Sequence, residues 1–336
     1  MTILVAILVF SVIILVHELG HFLIARYVGI EVEEFSIGFG PKLASIGAAG
    51  TNFSLRAIPM GGYVRMLGEE EDSGLDNPAS YQNKAPLQRM AVIAAGPIMN
   101  FFLALLLFVI IFGAIGVYAN EPIIGETISG LPADQAGLAA GDVIVAIDSQ
   151  NMQTWEDVQK SIRLSQGKSM VFTVRRDGRL LELEITPRMG EEFAEVGIIP
   201  PTKRLSLGAS IQEGFSQTYL LTREILISLG KIITRQLPAE DITGPIGIVY
   251  YVGQAARAGL VNVLYLAALI SVNLGLFNLL PIPALDGSKL AFLGLEIVRR
   301  RPLDPKKENL VHLVGFALLI SLMLIVMYRD IIRFIL

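Results

Sequence analysis

Hydrophobic and polar positions divide the 336-residue chain into long apolar segments separated by more polar stretches. Four apolar segments each approach or exceed the roughly 20 residues that cross about 30 Å of hydrocarbon as a helix. They are residues 1–25, 90–120, 258–285 and 309–328. The first has no basic leader and no small-residue cleavage site before its polar cluster, so we expect a retained helix and not a signal peptide. The pattern predicts about four transmembrane helices.

Residues 121–200, between the second and third segments, show the alternation of strands. Val143, Val145 and Ile147 lie two positions apart, and Asp177-Gly178 is a hairpin turn signal because this pair tolerates positive φ. Thr154 is followed by acidic residues, as at a helix N-terminus. Several strands with one helix in about 80 residues predict an inserted α+β module.

Residues 205–236 have the apolar periodicity of a helix, but four charged side chains interrupt it. These are Arg223, Glu224, Lys231 and Arg235. Each Arg or Lys costs about 2.5 to 3.5 kcal/mol in the centre of a membrane helix. We therefore expect residues 201–257 to form amphipathic helices on the membrane surface and not a fifth span.

Composition supports a membrane protein and excludes several classes of site. Hydrophobic residues make up 53% of the chain and charged residues 17%, whereas a soluble domain carries about a quarter charged residues. The net charge of −4 and the absence of a basic run with interleaved aromatics argue against nucleic-acid binding. Because the chain has no cysteine, a metal site must use the three histidines and the carboxylates.

Basic residues set the expected orientation. The loops 26–89 and 286–308 each contain six Lys or Arg residues, and no basic residue precedes the first apolar segment. Short loops rich in Lys and Arg stay on the cytoplasmic side. We therefore expect both loops in the cytoplasm, and both termini and the 121–200 module outside.

The first apolar segment contains the sequence His17-Glu18-Leu19-Gly20-His21, an HExxH motif. On a helix, positions i and i+4 share a face, so both imidazoles can bind one metal ion. Glu18 lies about 100° round the helix, where it can act as a general base toward water. Ionisable side chains inside a membrane segment are costly and mark function by default. The motif predicts a zinc hydrolase site.

Two histidines leave zinc one protein ligand short of the usual catalytic set. His312, alone on an apolar segment, is one candidate. Asp286 is the stronger candidate because it follows Pro281 and Pro283 at the end of the third apolar segment. Two prolines cannot continue a regular helix, so the backbone unwinds there and can direct a carboxylate inward.

A protease acts on extended chains, so a protease in the membrane must unwind its substrate. Residues 36–68 are rich in glycine and half-apolar, with strand signals that could pair with an extended segment by β-augmentation. Asn278 could add a side-chain amide to the same substrate backbone. An ordinary cytoplasmic hairpin and a helix-packing asparagine are the alternatives.

Two motifs together carry a family resemblance. HELGH at 17–21 and NLLPIPALDG at 278–287 stand in the first and third apolar segments. In this order and setting they resemble the site-2 protease family, in particular its bacterial RseP-like regulators of sigma-factor signalling. Further matching stretches are GFGP at 38–41, IPMGGYVRMLGE from 58, AGPIMNF from 95 and GPIG at 244–247.

The resemblance implies one Zn²⁺ ion, a general base, a substrate-binding asparagine and a substrate-binding, membrane-re-entrant β element. Carried to this sequence, these roles fall on His17, His21 and Asp286 as ligands, Glu18 as base, Asn278 as substrate contact, and Gly38 and Gly40 in the β element. Residues 136–144, AGLAAGDVI, resemble the AGLxxGDxI stretch of a PDZ domain. In the family this domain filters or docks substrates already trimmed by another, site-1, protease.

Two departures from the family stand out. Relatives carry two tandem PDZ domains and this chain shows one, which puts the gating mechanism in doubt. Ser288 stands where many relatives have a second glycine after LDG. The change affects the local turn and removes no ligand.

We therefore expect a polytopic α-helical membrane protein of the bacterial cytoplasmic membrane, with an extracytoplasmic α+β PDZ domain at 121–200. Residues 1–120 would hold the first two helices, HELGH and the cytoplasmic β loop, and residues 258–336 the last two helices. The expected activity is zinc-dependent cleavage of single-span membrane proteins such as anti-sigma factors. Alternatives are processing of remnant signal or pheromone peptides, a non-catalytic PDZ scaffold, against which Glu18 argues, and a metal transporter.

Overall fold

The computed structural model describes residues 2–69, 76–190, 193–236, 243–301 and 304–334. By its internal contacts the chain separates into two compact units. The first unit joins Met1–Ile110 to Ser210–Leu336, and the second is Ile111–Ala209. The predicted segments 121–200, 201–257 and 258–336 each include residues outside the described ranges. Residues 1, 335 and 336, at the two chain ends, also lie outside these ranges, so the predicted location of the termini concerns residues that are not described.

The first unit begins with a long helix, a β hairpin and a second long helix. These are α1 (Thr2–Tyr27), β1 (Val32–Ala48), β2 (Thr51–Met66) and α2 (Pro86–Ile110), with a 3₁₀ turn at Tyr81–Asn83 before α2. Val9, Ile13, His17 and His21 of α1 are buried and lie four positions apart in turn, so they share one face. That face packs on α2.

The strand signals of residues 36–68 correspond to the two paired strands β1 and β2, which bend back on themselves. Residues 34–37 pair with 62–65 on one side and with 52–55 on the other, while 44–48 pair with 51–55. Gly38 and Gly40 lie at the bend with φ of 88° and 83°, a backbone region that favours glycine. The far part of the hairpin exposes Leu43 and Ile46, each by more than 60%.

The second unit is a small α+β fold. Its helices are α3 (Pro132–Gln135) and α4 (Trp155–Leu164), and a five-residue π turn, Ile111–Ile115, connects α2 to it. Its strands are β3 (Val117–Tyr118), β4 (Glu126–Thr127), β5 (Val143–Ile147), β6 (Gln150–Asn151), β7 (Met170–Arg176), β8 (Arg179–Ile185), β9 (Arg188–Met189), β10 (Ala194–Glu195), β11 (Ile198–Ile199) and β12 (Thr202–Lys203). The largest sheet has the order β6-β5-β7-β8, and three short pairs join β9 to β10, β4 to β11 and β3 to β12.

The predicted helix start and the predicted turn of this unit are confirmed. Thr154 caps α4 in a capping box with Asp157, and Asp177-Gly178 forms the β7–β8 turn with φ of 50° and 77°. Phe172 and Val158 are fully buried, in a core shared by the sheet and α4. The buried side chains of β7 alternate as a strand predicts, at Met170, Phe172 and Val174. The predicted alternation of Val143, Val145 and Ile147 in β5 is wrong, because a register shift between Ile144 and Ala146 buries Ile144 and Ile147 instead.

Five helices complete the first unit. They are α5 (Leu207–Ile233), α6 (Pro245–Ala258), α7 (Leu260–Leu279), α8 (Asp286–Arg299) and α9 (Pro305–Phe334). The expected helix over 205–236 is present as α5. The stretch expected to be only a loop after residue 285 contains α8, because Leu290 and Leu293 supply an apolar face that packs against Val92 and Ile93 of α2.

Four helices are long and apolar enough to cross a membrane among the described residues, as the sequence predicted. They are Thr2–Tyr27, Pro86–Ile115, Leu260–Leu279 and Leu310–Phe334. The third ends at Leu279, six residues earlier than expected, because Pro281 and Pro283 cannot continue it. The fourth helix has few contacts with the rest of the protein, since only 11% of its most apolar stretch is buried.

Candidate metal centre

His17 and His21 project from the buried face of α1 toward α2. Each is 7% exposed. Two glycines make the close approach of the helices possible. A Cβ on Gly20 would lie 2.4 Å from the carbonyl oxygen of Ala95, and one on Gly96 would lie 2.3 Å from Nε2 of His21. Glycine at these positions therefore leaves the space that the imidazole rings fill.

Asp286 meets the two histidines from the other side. It is the first residue of α8, at the end of the proline-containing turn that follows α7. Its Oδ2 lies 3.1 Å from Nε2 of His17 and 3.5 Å from Nε2 of His21. The two Nε2 atoms lie 3.2 Å apart. Among the described residues, these three form the one group of histidine and carboxylate side chains able to hold a metal ion.

The donor geometry fits zinc. A tetrahedral zinc site holds nitrogen and oxygen ligands at about 2.0 to 2.2 Å, which places neighbouring ligand atoms about 3.3 Å apart. The separations of 3.1, 3.2 and 3.5 Å bracket that value. Oδ2 of Asp286 is buried, and the two imidazole nitrogens are the polar atoms that the structure places within 3.5 Å of it. Two imidazoles and one carboxylate leave a fourth position open, as at catalytic zinc sites.

The other nitrogen of each imidazole is held by α2. Nδ1 of His21 lies 2.9 Å from the carbonyl oxygen of Val92. Since a carbonyl only accepts, Nδ1 carries the proton and Nε2 is free to bind a metal. Nδ1 of His17 lies 3.1 Å from Nδ2 of Asn100, which is fully buried. Ser271 of α7 donates to the main-chain oxygen of Asn100 at 2.8 Å.

Glu18 lies beside the hairpin. A Cβ on Gly62 would be 3.5 Å from Cγ of Glu18. Residues 62–65 pair with 34–37 along one edge, and their other edge has no strand partner among the described residues. The edge of β2 therefore borders the glutamate of the HExxH motif.

The predicted substrate-binding glycines lie elsewhere in the hairpin. A Cβ on Gly38 would meet the carbonyl oxygen of Ile58 at 2.5 Å, and the nearest neighbour of Gly40 is the Ile58 side chain. The structure does not bring either glycine to the histidines. Asn278 is 9% exposed near the C-terminal end of α7, two residues before the turn that leads to Asp286.

A lysine side chain lies on the same helix as Asp286. Lys289, three residues after Asp286 on α8, has its Nζ 2.8 Å from Oε1 of Glu69. Burial acts to lower the pKa of Lys289, but the charge of Glu69 outweighs it and raises the pKa above its usual range. The ammonium group therefore stays charged and ties α8 to the segment after β2.

Sequence reasoning missed Asn100, Val92 and Gly62 as neighbours of the centre. Asn100 stands 83 residues from His17, so no local spacing signals their contact. The one sequence signal for Asn100 was that a polar amide stands in a long apolar segment, where polar side chains often have a functional role.

Four apolar helices and a His, His, Asp donor set beside a glutamate define an integral-membrane metallohydrolase. The model of Peptidase family M50 matches residues 5–322, and the chain belongs to this family. Zinc metalloprotease RasP of Geobacillus kaustophilus is 34% identical over an alignment of 409 positions, gaps included. The alignment covers 98% of this chain and 97% of that protein. The regulator of sigma-W protease RasP of Bacillus subtilis is 32% identical over 416 residues, 99% of this chain and 98% of that protein.

The chain is a multi-pass membrane protein and a zinc metalloendopeptidase of the site-2 type. A solved PDZ domain of an SdrC-like protein from Listeria monocytogenes is also similar to part of it. That match has 18% identity and a TM-score of 0.22, and it covers 24% of this chain and 88% of the PDZ domain.

Proposed function

We propose that the protein hydrolyses peptide bonds of single-span membrane proteins at the level of the bilayer. His17, His21 and Asp286 would hold one Zn²⁺ ion and Glu18 would be the general base. The observation that carries the proposal is the set of three donor atoms 3.1 to 3.5 Å apart, next to the glutamate of the same motif.

Each side chain has a defined task in this proposal. Zinc, when bound, lowers the pKa of a bound water to about 7 and polarises the scissile carbonyl. Glu18 accepts a proton from the attacking water and returns a proton to the leaving amine nitrogen. Burial of both histidines keeps bulk water away from the donors.

The contacts behind the imidazoles fix which nitrogen binds. If Nε2 of His17 is a ligand, its Nδ1 carries a proton and needs an acceptor. Oδ1 of Asn100 is buried without a partner among the described residues. A half-turn of the Asn100 amide exchanges its nitrogen and oxygen, so that Oδ1 accepts from Nδ1 of His17. Asn100 would then accept a hydrogen bond from Nδ1 of His17, as the Val92 carbonyl oxygen accepts one from Nδ1 of His21.

An extended substrate segment would bind along the edge of β2. Residues 62–65 border Glu18, and an unpaired strand edge offers backbone donors and acceptors to an added strand. Asn278 would contact the same segment from α7. Gly38 and Gly40 would contribute indirectly, by allowing the bend that stacks the hairpin segments beside each other.

We assign the second unit to a PDZ-type domain on the outer side of the bacterial cytoplasmic membrane. The AGLxxGDxI-like stretch and the positive-inside charge bias support this assignment. The proposed substrate is a membrane-bound anti-sigma factor, and a relative named as a regulator of sigma-W protease supports this choice. The domain would admit substrates that a site-1 protease has already shortened.

The test is cleavage of a tagged single-span substrate by the purified full-length protein in detergent or liposomes. We expect Glu18→Gln to lower the cleavage rate at least about 100-fold, because a general base contributes about 10² to 10⁴ in rate, while bound zinc stays at the wild-type level. Asp286→Ala should instead lose zinc. Normal cleavage by Glu18→Gln would refute the mechanism, and unchanged zinc in Asp286→Ala would remove Asp286 from the ligand set.

A further inference from the structure

Ala284, two residues before Asp286, has an unusual backbone conformation. Its φ is 72°, in the left-handed region that L-residues with a Cβ rarely adopt. Such a conformation is unfavourable and persists only where surrounding contacts enforce it. The turn that directs Asp286 toward the histidines therefore depends on outside support.

His312 of α9 supplies one part of that support. The backbone N–H of Ala284 donates to Nδ1 of His312 at 3.2 Å. The imidazole also meets the ring of Phe292 edge to face, with centroids 5.7 Å apart, which fixes its orientation between α8 and α9. His312 thus makes a directed contact with the turn and is not part of the His17, His21, Asp286 group.

Gly315, one helical turn further along α9, supplies the second part. A Cβ at this position would lie 2.1 Å from Cβ of Pro283 and 3.1 Å from its Cα and carbonyl carbon. Only a residue without a Cβ lets α9 approach Pro283 this closely. Residues 312 and 315 lie on the same face of the helix, so together they form a clamp over Pro283 and Ala284.

The turn transmits this support to Asp286 because it is compact. The N–H of Leu285 donates to the carbonyl oxygen of Ile282 at 3.1 Å, and a Cβ on Gly287 would lie 2.0 Å from the carbonyl oxygen of Leu280. Little space exists for the turn to move between α9 on one side and the start of α8 on the other.

We infer that His312 and Gly315 are positioning residues that hold the Pro283–Ala284 turn and thereby fix the direction of the Asp286 carboxylate. The inference rests on the proposed role of Asp286 as a zinc ligand. It assigns a task in the metal centre to α9, which has no described residue in the His17, His21, Asp286 group.

The experiment measures zinc affinity of the purified full-length protein by competition with a chelator, alongside thermal unfolding. Loss of a partner that orients a metal ligand typically weakens metal binding 10- to 100-fold. We expect His312→Leu and Gly315→Ala to weaken zinc binding about 10-fold. His312→Asn should restore most of the affinity, because its Oδ1 can take the place of Nδ1 and accept from Ala284.

Matched controls separate this role from general packing. Leu313→Ala alters the neighbouring, 66% exposed residue of α9, and Gly294→Ala adds a Cβ that meets nothing within 4 Å. Both should bind zinc like the wild type. Equal affinity of His312→Leu and the wild type, equally weak binding by His312→Leu and His312→Asn, or a matching loss in the controls would overturn the inference. Absence of zinc binding by the wild type would instead refute the proposed function.

Discussion

Replacing Asn100 by leucine tests how the metal centre selects the binding nitrogen of His17. Leucine has nearly the same size and keeps α2 apolar, but it cannot accept a hydrogen bond. Asn100 is fully buried, so water cannot substitute for the lost amide. The proton on Nδ1 of His17 would then have no acceptor, and the imidazole would favour the tautomer that places the proton on the metal-binding Nε2.

The size of the effect follows from the contact. An unsatisfied buried donor costs about 1 to 3 kcal/mol. Because that cost arises in the metal-bound state, where Nδ1 must carry the proton, it appears as weaker zinc binding. One factor of ten corresponds to about 1.4 kcal/mol, so we expect zinc affinity to fall about 10- to 100-fold, in line with other residues that orient metal ligands.

The assay is chelator competition for zinc with purified full-length protein at fixed pH. Asn100→Asp is the rescue variant, since a carboxylate oxygen can accept from Nδ1, and we expect it to bind zinc more tightly than Asn100→Leu. Ser271→Ala is the control, because it removes the hydroxyl bonded to the Asn100 main chain without touching His17. If Asn100→Leu keeps wild-type affinity, the Asn100 amide does not orient His17.

Two further predictions concern the helix contact and the hairpin. Gly96→Ala should abolish zinc binding, because its Cβ would lie 2.3 Å from an imidazole nitrogen, whereas Gly294→Ala should not; zinc content of the two variants decides. Glu34 predicts a pH dependence: burial acts to raise its pKa, but hydrogen bonds from Ser54 and Arg56 outweigh burial and lower the pKa to about 2. This stabilisation is complete above the unfolded pKa of about 4.3 and is lost as the pH falls toward 2. The protection factors of the amides of residues 32–38, which correct hydrogen exchange for its intrinsic pH dependence, should therefore fall only below about pH 4.3. Protection factors that stay constant as the pH falls from about 4.3 toward 2 would contradict the assignment.

Local patterns in the sequence were sufficient to predict much of the fold. The four apolar segments, the Thr154 helix start and the Asp177-Gly178 turn depend on residues close together in the chain, so periodicity and turn chemistry predict them. Helix α8 escaped prediction because its apolar face is short and interrupted by charges. Its burial depends on α2, about 200 positions earlier in the chain.

The candidate site divides in the same way. HELGH and the proline-rich approach to Asp286 predicted the three donors that the structure brings within 3.5 Å of each other, although their roles as ligands stay a prediction. Asn100 and His312 act across helix contacts, for which the sequence has no spacing rule. The hairpin was expected to lie near the site, with Gly38 and Gly40 as its substrate-binding residues. The part of the hairpin that borders Glu18 is residues 62–65 instead. Glycine motifs show where a chain can bend and do not show what the bend faces.

The separation of the donors along the chain also has a consequence in time. Asp286 follows His21 by 265 residues. At a synthesis rate of about 5 to 20 residues per second, roughly 13 to 53 seconds pass between the two. Throughout that interval the first helix and its glutamate exist without the carboxylate that completes the donor set. A membrane-embedded metalloprotease whose metal centre needs Asp286 would thus stay incomplete until most of its own chain has been made.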